Sequence, residues 1–140
     1  MYTHTNSRFY LSLLEFLMNS KQQIMAIGNE FDLTSTQAIT LLLVDEGQPR
    51  PMKNFCVLFH CDASNITGIV DGLEKKGLVS RQSDASDRRI KVIQLEPAGK
   101  QMQQAIIERL EAANDFMLGN LTDTEQQQFV AIVEKLAATN

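Results

Sequence analysis

Tryptophan is absent from this 140-residue chain, proline occurs three times, and cysteine and histidine occur twice each. So few cysteines exclude a disulfide scaffold, and so few prolines exclude a proline-rich linker or a collagen-like repeat. No apolar run approaches the roughly 18 residues that a membrane span requires. The opening stretch, MYTHTNSRFYLSLLEFLMNSKQQ, lacks the basic segment, apolar run and small-residue cleavage site of a secretory leader. A cytoplasmic protein with reduced thiols is therefore expected. A glycine-rich phosphate loop, a nucleophile elbow and an HExxH helix are also missing. His60 and Cys61 are adjacent, and with His4 and Cys56 they make no paired zinc spacing. Neither an enzyme nor a metal protein is expected, and no cofactor is called for.

What is present is enough to fold. Apolar residues make up 44% of the chain and charged residues 21%, which suffices for one domain with a buried core. Phe9, Leu13, Phe16, Leu17, Ile24, Ile27 and Phe31 recur at helical spacing, and Leu11, Leu14, Met18 and Met25 add a second stripe. A helix apolar on two faces is expected to pack on its own domain with one and on another chain with the other. Thr34 and Gln37 have the spacing of a capping box for a helix running to about Gly47, with Ile39, Leu41, Leu42, Leu43 and Val44 as core. Gln48-Pro49-Arg50-Pro51 suits a linker or edge strand. A short helix with Met52, Phe55, Leu58 and Phe59 on one face follows. A turn at His60-Cys61-Asp62 leads to a helix over Ala63–Lys76, capped by Asp62, lined inward by Ile66, Ile69, Val70 and Leu73, and ended by Gly77. Two helices so joined match a helix-turn-helix.

Beyond Gly77 the pattern turns β-branched over Leu78–Ser83 and Ile90–Leu95, around the polar turn Asp84-Ala85-Ser86-Asp87-Arg88-Arg89, which predicts a hairpin. Helical spacing returns from Pro97 to about Leu118 through Met102, Ile106, Leu110, Ala113 and Met117. Thr122 and Glu125 form a second capping box, opening a last helix with Phe129, Ile132, Val133 and Leu136. The fold class is thus mainly α with a small β-hairpin wing (α+β), the terminal helices belonging to the same unit over 1–140.

Net charge is −4 overall but unevenly placed. From Pro49 to Gln94, eight basic residues (Arg50, Lys53, Lys75, Lys76, Arg81, Arg88, Arg89, Lys91) face five acidic ones (Asp62, Asp71, Glu74, Asp84, Asp87), a net +3, which leaves −7 for the rest. A basic lobe in an acidic chain presents one face to a polyanion, although a solvated surface gives the same count.

The run Leu73-Glu-Lys-Lys-Gly-Leu-Val79 and the turn Asp87-Arg88-Arg89, within residues 63–99, resemble the MarR (multiple antibiotic resistance regulator) family of winged helix-turn-helix transcriptional regulators. The flanking helices match by order and length. The resemblance implies a winged helix-turn-helix lobe over 34–96, dimerisation helices over 1–31 and 97–140, and a homodimer on a palindromic double-stranded DNA operator. It further implies a repressor released by a small-molecule effector or by oxidation. Ser64, Asn65, Thr67 and Gly68 then become the recognition surface, with Lys75 on the same helix. Arg88 and Arg89 become the wing tip, one of them steadied by Asp87, while Lys53, Lys76, Arg81 and Lys91 suit phosphate contact or solubility. The residues of an effector pocket are not legible.

Several positions depart from the family pattern. Gly68 and Gly72, four apart on one helix face, imply either a close approach of backbone and DNA or a reduced basic complement. His60 stands where glycine is common, at a turn that needs left-handed backbone. Glu96 replaces a capping threonine and still favours a helix N-terminus. Cys56 and Cys61 are either inert buried thiols or a redox switch, and the switch needs Cα atoms within about 7 Å. Besides a thiol-responsive regulator, a dimeric interaction protein without DNA binding remains open, and a selection on random duplexes discriminates it.

Overall fold

A computed structural model describes residues 4–113 and 118–138. In chain order they form α1 (His4–Glu30), α2 (Ser35–Leu42), β1 (Arg50–Pro51), α3 (Met52–Phe59), α4 (Ala63–Lys75), β2 (Val79–Ser83), β3 (Lys91–Leu95), α5 (Pro97–Ala112) and α6 (Asp123–Ala137). This is the winged helix-turn-helix fold, mainly helical with a small antiparallel sheet. The chain divides into two compact units, 1–107 and 108–140.

Within the first unit the core is the meeting of α2, α3 and α4 with the sheet. Phe55, Leu41, Ile66, Leu73 and Ile93 are fully buried, joined by Val44, Val70 and Val92, with Ile27 and Ile106 closing it from α1 and α5. β3 lies between β1 and β2 and pairs antiparallel with both, Val79 opposite Leu95 and Arg50 opposite Ile93. The proline-bounded segment is thus a third strand, at an edge where proline costs no ladder bond.

Local rules account for the helix starts. Thr34 Oγ1 accepts from the Gln37 N–H at 3.2 Å while the Thr34 N–H donates to Gln37 Oε1 at 3.0 Å. Thr122 and Glu125 repeat the arrangement ahead of α6. Asp62 Oδ1 accepts from the Asn65 N–H at 3.0 Å at the start of α4. Gly77, at φ +69°, closes the other end of that helix.

Three expectations are corrected. α2 stops at Leu42, short of Gly47, because the Gln103 side-chain amide donates to the carbonyls of Leu41, Leu42 and Val44 at 3.0, 3.3 and 3.0 Å, and the Arg50 guanidinium donates to Leu43 O at 2.8 Å. Gly47 instead serves, at φ +70°, the turn bridging Asp45 and Gln48. Leu43, read as core, is exposed, because it follows the last residue of α2. α5 ends at Ala112 and Leu118 lies in a turn, while Met117 falls outside the described residues.

In the second unit the Gln126 amide donates to the carbonyls of Leu118 and Leu121, both at 3.2 Å, fixing the turn before α6.

Candidate nucleic-acid interface

At 100° per residue, Ile66, Val70 and Leu73 share the buried side of α4, and Ser64, Gly68 and Lys75 fall diametrically opposite, facing solvent. Thr67 lies on one flank and Asn65 on the other. The four side chains differ in what they still offer. The Ser64 hydroxyl donates to Asp62 Oδ1 at 2.7 Å, and the Thr67 hydroxyl donates to the Ala63 carbonyl at 2.8 Å. Both keep only acceptor capacity toward an outside group. The Asn65 side-chain amide has no partner among the described residues, so it retains donors and acceptor together.

Asp62 is committed to the helix. The Ser64 hydroxyl and the Asn65 N–H hold its carboxyl below the usual aspartate range. A resident carboxylate on the first-turn N–H groups opposes docking of a phosphate at that helix end.

The two glycines of α4 separate in role. A Cβ on Gly72 would overlap the Gln37 side-chain amide, so Gly72 makes room for that amide. A Cβ on Gly68 meets nothing within 4 Å. Only Gly68 therefore leaves bare backbone toward solvent.

The wing tip is braced by its own acids. Asp84 Oδ2 accepts from the Ser86 N–H at 2.8 Å, from the Ser86 hydroxyl, and from the Asp87 N–H at 3.2 Å. These bonds lower its pKa, the Ser86 hydroxyl most. Asp87 Oδ1 accepts from both the backbone N–H and Nε of Arg89, at 3.0 and 3.2 Å. Arg89 remains 92% exposed, and Arg88 has no partner among the described residues. The turn thus carries two outward guanidinium groups on a loop with little freedom left. Asp84 is a positioning residue that motif reading passed over; its Asx-turn spacing to Ser86 was the available signal.

Not all the basic residues are available. Arg81 donates to Asp71 at 2.6 Å and to Glu74 at 2.7 Å, and its backbone N–H also reaches Glu74, so it ties β2 to α4. Lys76 pairs with Asp32 at 2.8 Å, and Lys91 donates to the Ser83 hydroxyl at 3.0 Å. Lys53 and Lys75 have no partner among the described residues.

Between α3, α4 and the wing lies an open cleft of about 780 Å³, bordered by Lys53 and Cys56 of α3, Thr67 of α4, and Arg89 and Lys91 of the wing. Cys56 and Cys61 are free thiols, both half-buried. No group of three or more metal-ligating side chains occurs among the described residues, and no helix there is long and apolar enough to cross a membrane.

Comparison with known proteins gives this geometry its context. The sequence model of the MarR family matches residues 33–91. An uncharacterised HTH-type transcriptional regulator of Bacillus subtilis, YsmB, is 31% identical over 116 residues, covering 82% of this chain and 76% of the relative. The HTH-type transcriptional regulator SarZ of Staphylococcus epidermidis is 26% identical over 133 residues, 94% of this chain and 85% of its own. In fold, the chain is similar to the transcriptional regulator BldR from Sulfolobus solfataricus, with a TM-score of 0.79 at 24% identity over 99% of this chain and all of the other. These relatives are named as regulators, not enzymes. The chain belongs to the MarR family and is a transcriptional regulator.

Proposed function

We propose that the chain acts as a cytoplasmic homodimer that binds a palindromic operator, represses transcription there, and is released by a small-molecule effector. One observation carries the DNA reading: α4 and the wing each present an exposed polar side chain with no partner among the described residues, Asn65 and Arg88, on a lobe whose cleft is bordered by cations. In this arrangement α4 enters a major groove with Asn65 at base edges, Ser64 and Thr67 accept from base or water donors, and Gly68 admits close approach. Arg88 and Arg89 reach the neighbouring minor groove, where a narrow width concentrates negative potential. Lys53 and Lys75 contact phosphates.

Dimerisation is supported by what the ends of the chain leave uncovered. Over residues 7–30, α1 is buried only near its carboxyl end, at Ile27 and Gly28, and it exposes Phe9, Leu11, Leu14, Leu17 and Met18. On α6, Val130, Ile132, Val133 and Leu136 are likewise exposed. Apolar patches of this extent mark an interaction surface in a protein that stays in solution. A second copy of the same helices would cover them and set the separation of two recognition helices at one turn of DNA, about 34 Å. An effector that alters that separation would release the duplex.

The test is a salt titration of duplex affinity. Arg88→Ala removes one cation from each copy and should weaken binding and flatten the slope of log affinity against log salt by about 2, with dimerisation intact. Asn65→Ala should relax base preference by about 1–3 kcal/mol if its contact is bidentate. An Arg88→Ala protein with wild-type affinity at every salt concentration removes the wing from the interface.

A further inference from the structure

α2 ends without a cap of its own. Leu43, at its C-cap, is right-handed (φ −96°, ψ 0°), so no left-handed closure gathers the last carbonyls, and no basic residue stands in the last turn. The donors come from other elements. Arg50 of β1 serves the Leu43 carbonyl, and Gln103 of α5 serves those of Leu41, Leu42 and Val44 with the two hydrogens of one amide.

Gln103 stands in the middle of the stripe by which α5 meets the lobe. Gly99, Gln103 and Ile106, at i, i+4 and i+7, share one face of the helix. Gly99 lies so close to the Leu78 carbonyl that a Cβ there would overlap it, and Ile106 is fully buried. Burial at Ile106 gives adhesion without direction, whereas hydrogen bonds weaken steeply once misaligned. The amide therefore fixes how α5 is rotated and placed along its axis against α2, which an apolar side chain at that position would define less sharply.

α2 passes that placement on to the recognition helix, against which it packs. Its eight residues span about 12 Å, and near the other end the Gln37 side-chain amide fills the space that a Cβ of Gly72 on α4 would need. On the α1 side the tie to the end of α4 is the pair of Lys76 with Asp32, whose side chain is 98% exposed, and pairs of that kind contribute little.

We propose that Gln103 is a positioning residue for DNA recognition: by joining α2 to α5 through directional bonds, it fixes the separation of the two recognition helices in the homodimer and so sets the half-site spacing that the protein accepts. This rests on the DNA reading above. One base pair added or removed at the centre of an operator moves one half-site by about 3.4 Å along the duplex and about 35° around it. A lobe held by hydrogen bonds cannot follow that shift without breaking them, whereas a lobe held by apolar contact alone can slide toward it.

The test uses the palindromic duplex selected by the whole wild-type chain, and the same duplex with one base pair inserted or deleted at its centre. Each is titrated with wild type, Gln103→Met, Gln103→Asn and Gln101→Leu. Methionine keeps the length of glutamine and loses the donors, asparagine keeps the amide but falls one methylene short of the carbonyls, and Gln101 is exposed on the opposite face of α5. Wild type and Gln101→Leu should lose about tenfold in affinity on the altered spacings, and both Gln103 variants about threefold or less. Folded Gln103 variants that keep the wild-type ratio between spacings, or that weaken equally on all three duplexes, overturn the positioning role, because a merely structural loss lowers the three together. Should Gln103→Met fail to fold, the asparagine variant decides by the same ratio. A wild-type chain that binds the three spacings equally also overturns the role of Gln103 while leaving DNA binding in place; one that selects no duplex defeats the DNA reading, and the role with it.

Discussion

Gly68→Ala isolates what the bare backbone of α4 is for. Glycine within an exposed helix costs about 1 kcal/mol relative to alanine, part of it through the freedom it gives the unfolded chain. A Cβ at Gly68 meets nothing within 4 Å, so nothing in the folded chain opposes that gain. For a chain of this size the melting temperature should rise by roughly 3–5 °C. Gly72→Ala is the matched control on the same helix: its Cβ overlaps the Gln37 amide and forces that side chain away, disturbing the bond between Gln37 Oε1 and the Thr34 N–H. The Thr34 cap on the Gln37 N–H remains, but loss of this reciprocal hydrogen bond costs about 0.5–1.5 kcal/mol, which offsets the gain. Both variants are melted at one fixed protein concentration, because association shifts the midpoint. Duplex affinity is then measured on the same samples. If Gly68 faces the groove, its added methyl stands between Ser64 and Lys75 and affinity should fall by about tenfold while stability rises. A lowered melting temperature for Gly68→Ala, or equal gains at both glycines, refutes the packing reasoning. Raised stability with unaltered affinity removes Gly68 from the contact.

Other outcomes follow from single contacts. Gln103→Ala removes the side-chain donor of three carbonyls at the end of α2, of which the Leu41 carbonyl keeps the Val44 N–H, and should destabilise by about 1–3 kcal/mol, read as a shift in the urea midpoint; a midpoint unmoved from wild type contradicts it. Asp62 and Asp84 have pKa values held below the ordinary aspartate value by hydrogen bonds. Their contribution to stability is complete above that ordinary value and is lost as pH falls through the lowered one. Melting temperature should therefore drop on acidification below about pH 4, and less steeply in Asp62→Ala; parallel curves for the two proteins would show that Asp62 does not contribute. Asp87→Ala frees Arg89 from its brace and should weaken duplex binding less than Arg89→Ala does, since the charge remains; the reverse order contradicts the bracing role.

The parts of the fold legible in the sequence are those governed by neighbours in the chain. Thr34 with Gln37, Thr122 with Glu125, Asp62 before α4, Gly77 after it and left-handed His60 each follow from residues within about four positions. What could not be read depends on partners far away. The end of α2 is set by Gln103, some sixty residues on, and the strand at Arg50–Pro51 exists only because β3 returns beside it. At the interface, composition places Ser64, Asn65 and Thr67 on one helix, but only the hydrogen bonds show that Asn65 alone keeps its full capacity. The count of basic residues likewise includes Arg81 and Lys76, which the fold commits to Asp71, Glu74 and Asp32.

The most direct test is a selection of bound duplexes from a random pool by the purified chain, followed by sizing of the complex. Two copies on one duplex and an enriched sequence with two-fold symmetry, its half-site centres one helical turn or about 10 base pairs apart, are expected. An unenriched pool, or an enriched sequence without symmetry bound by a single copy, would contradict a paired recognition-helix mechanism.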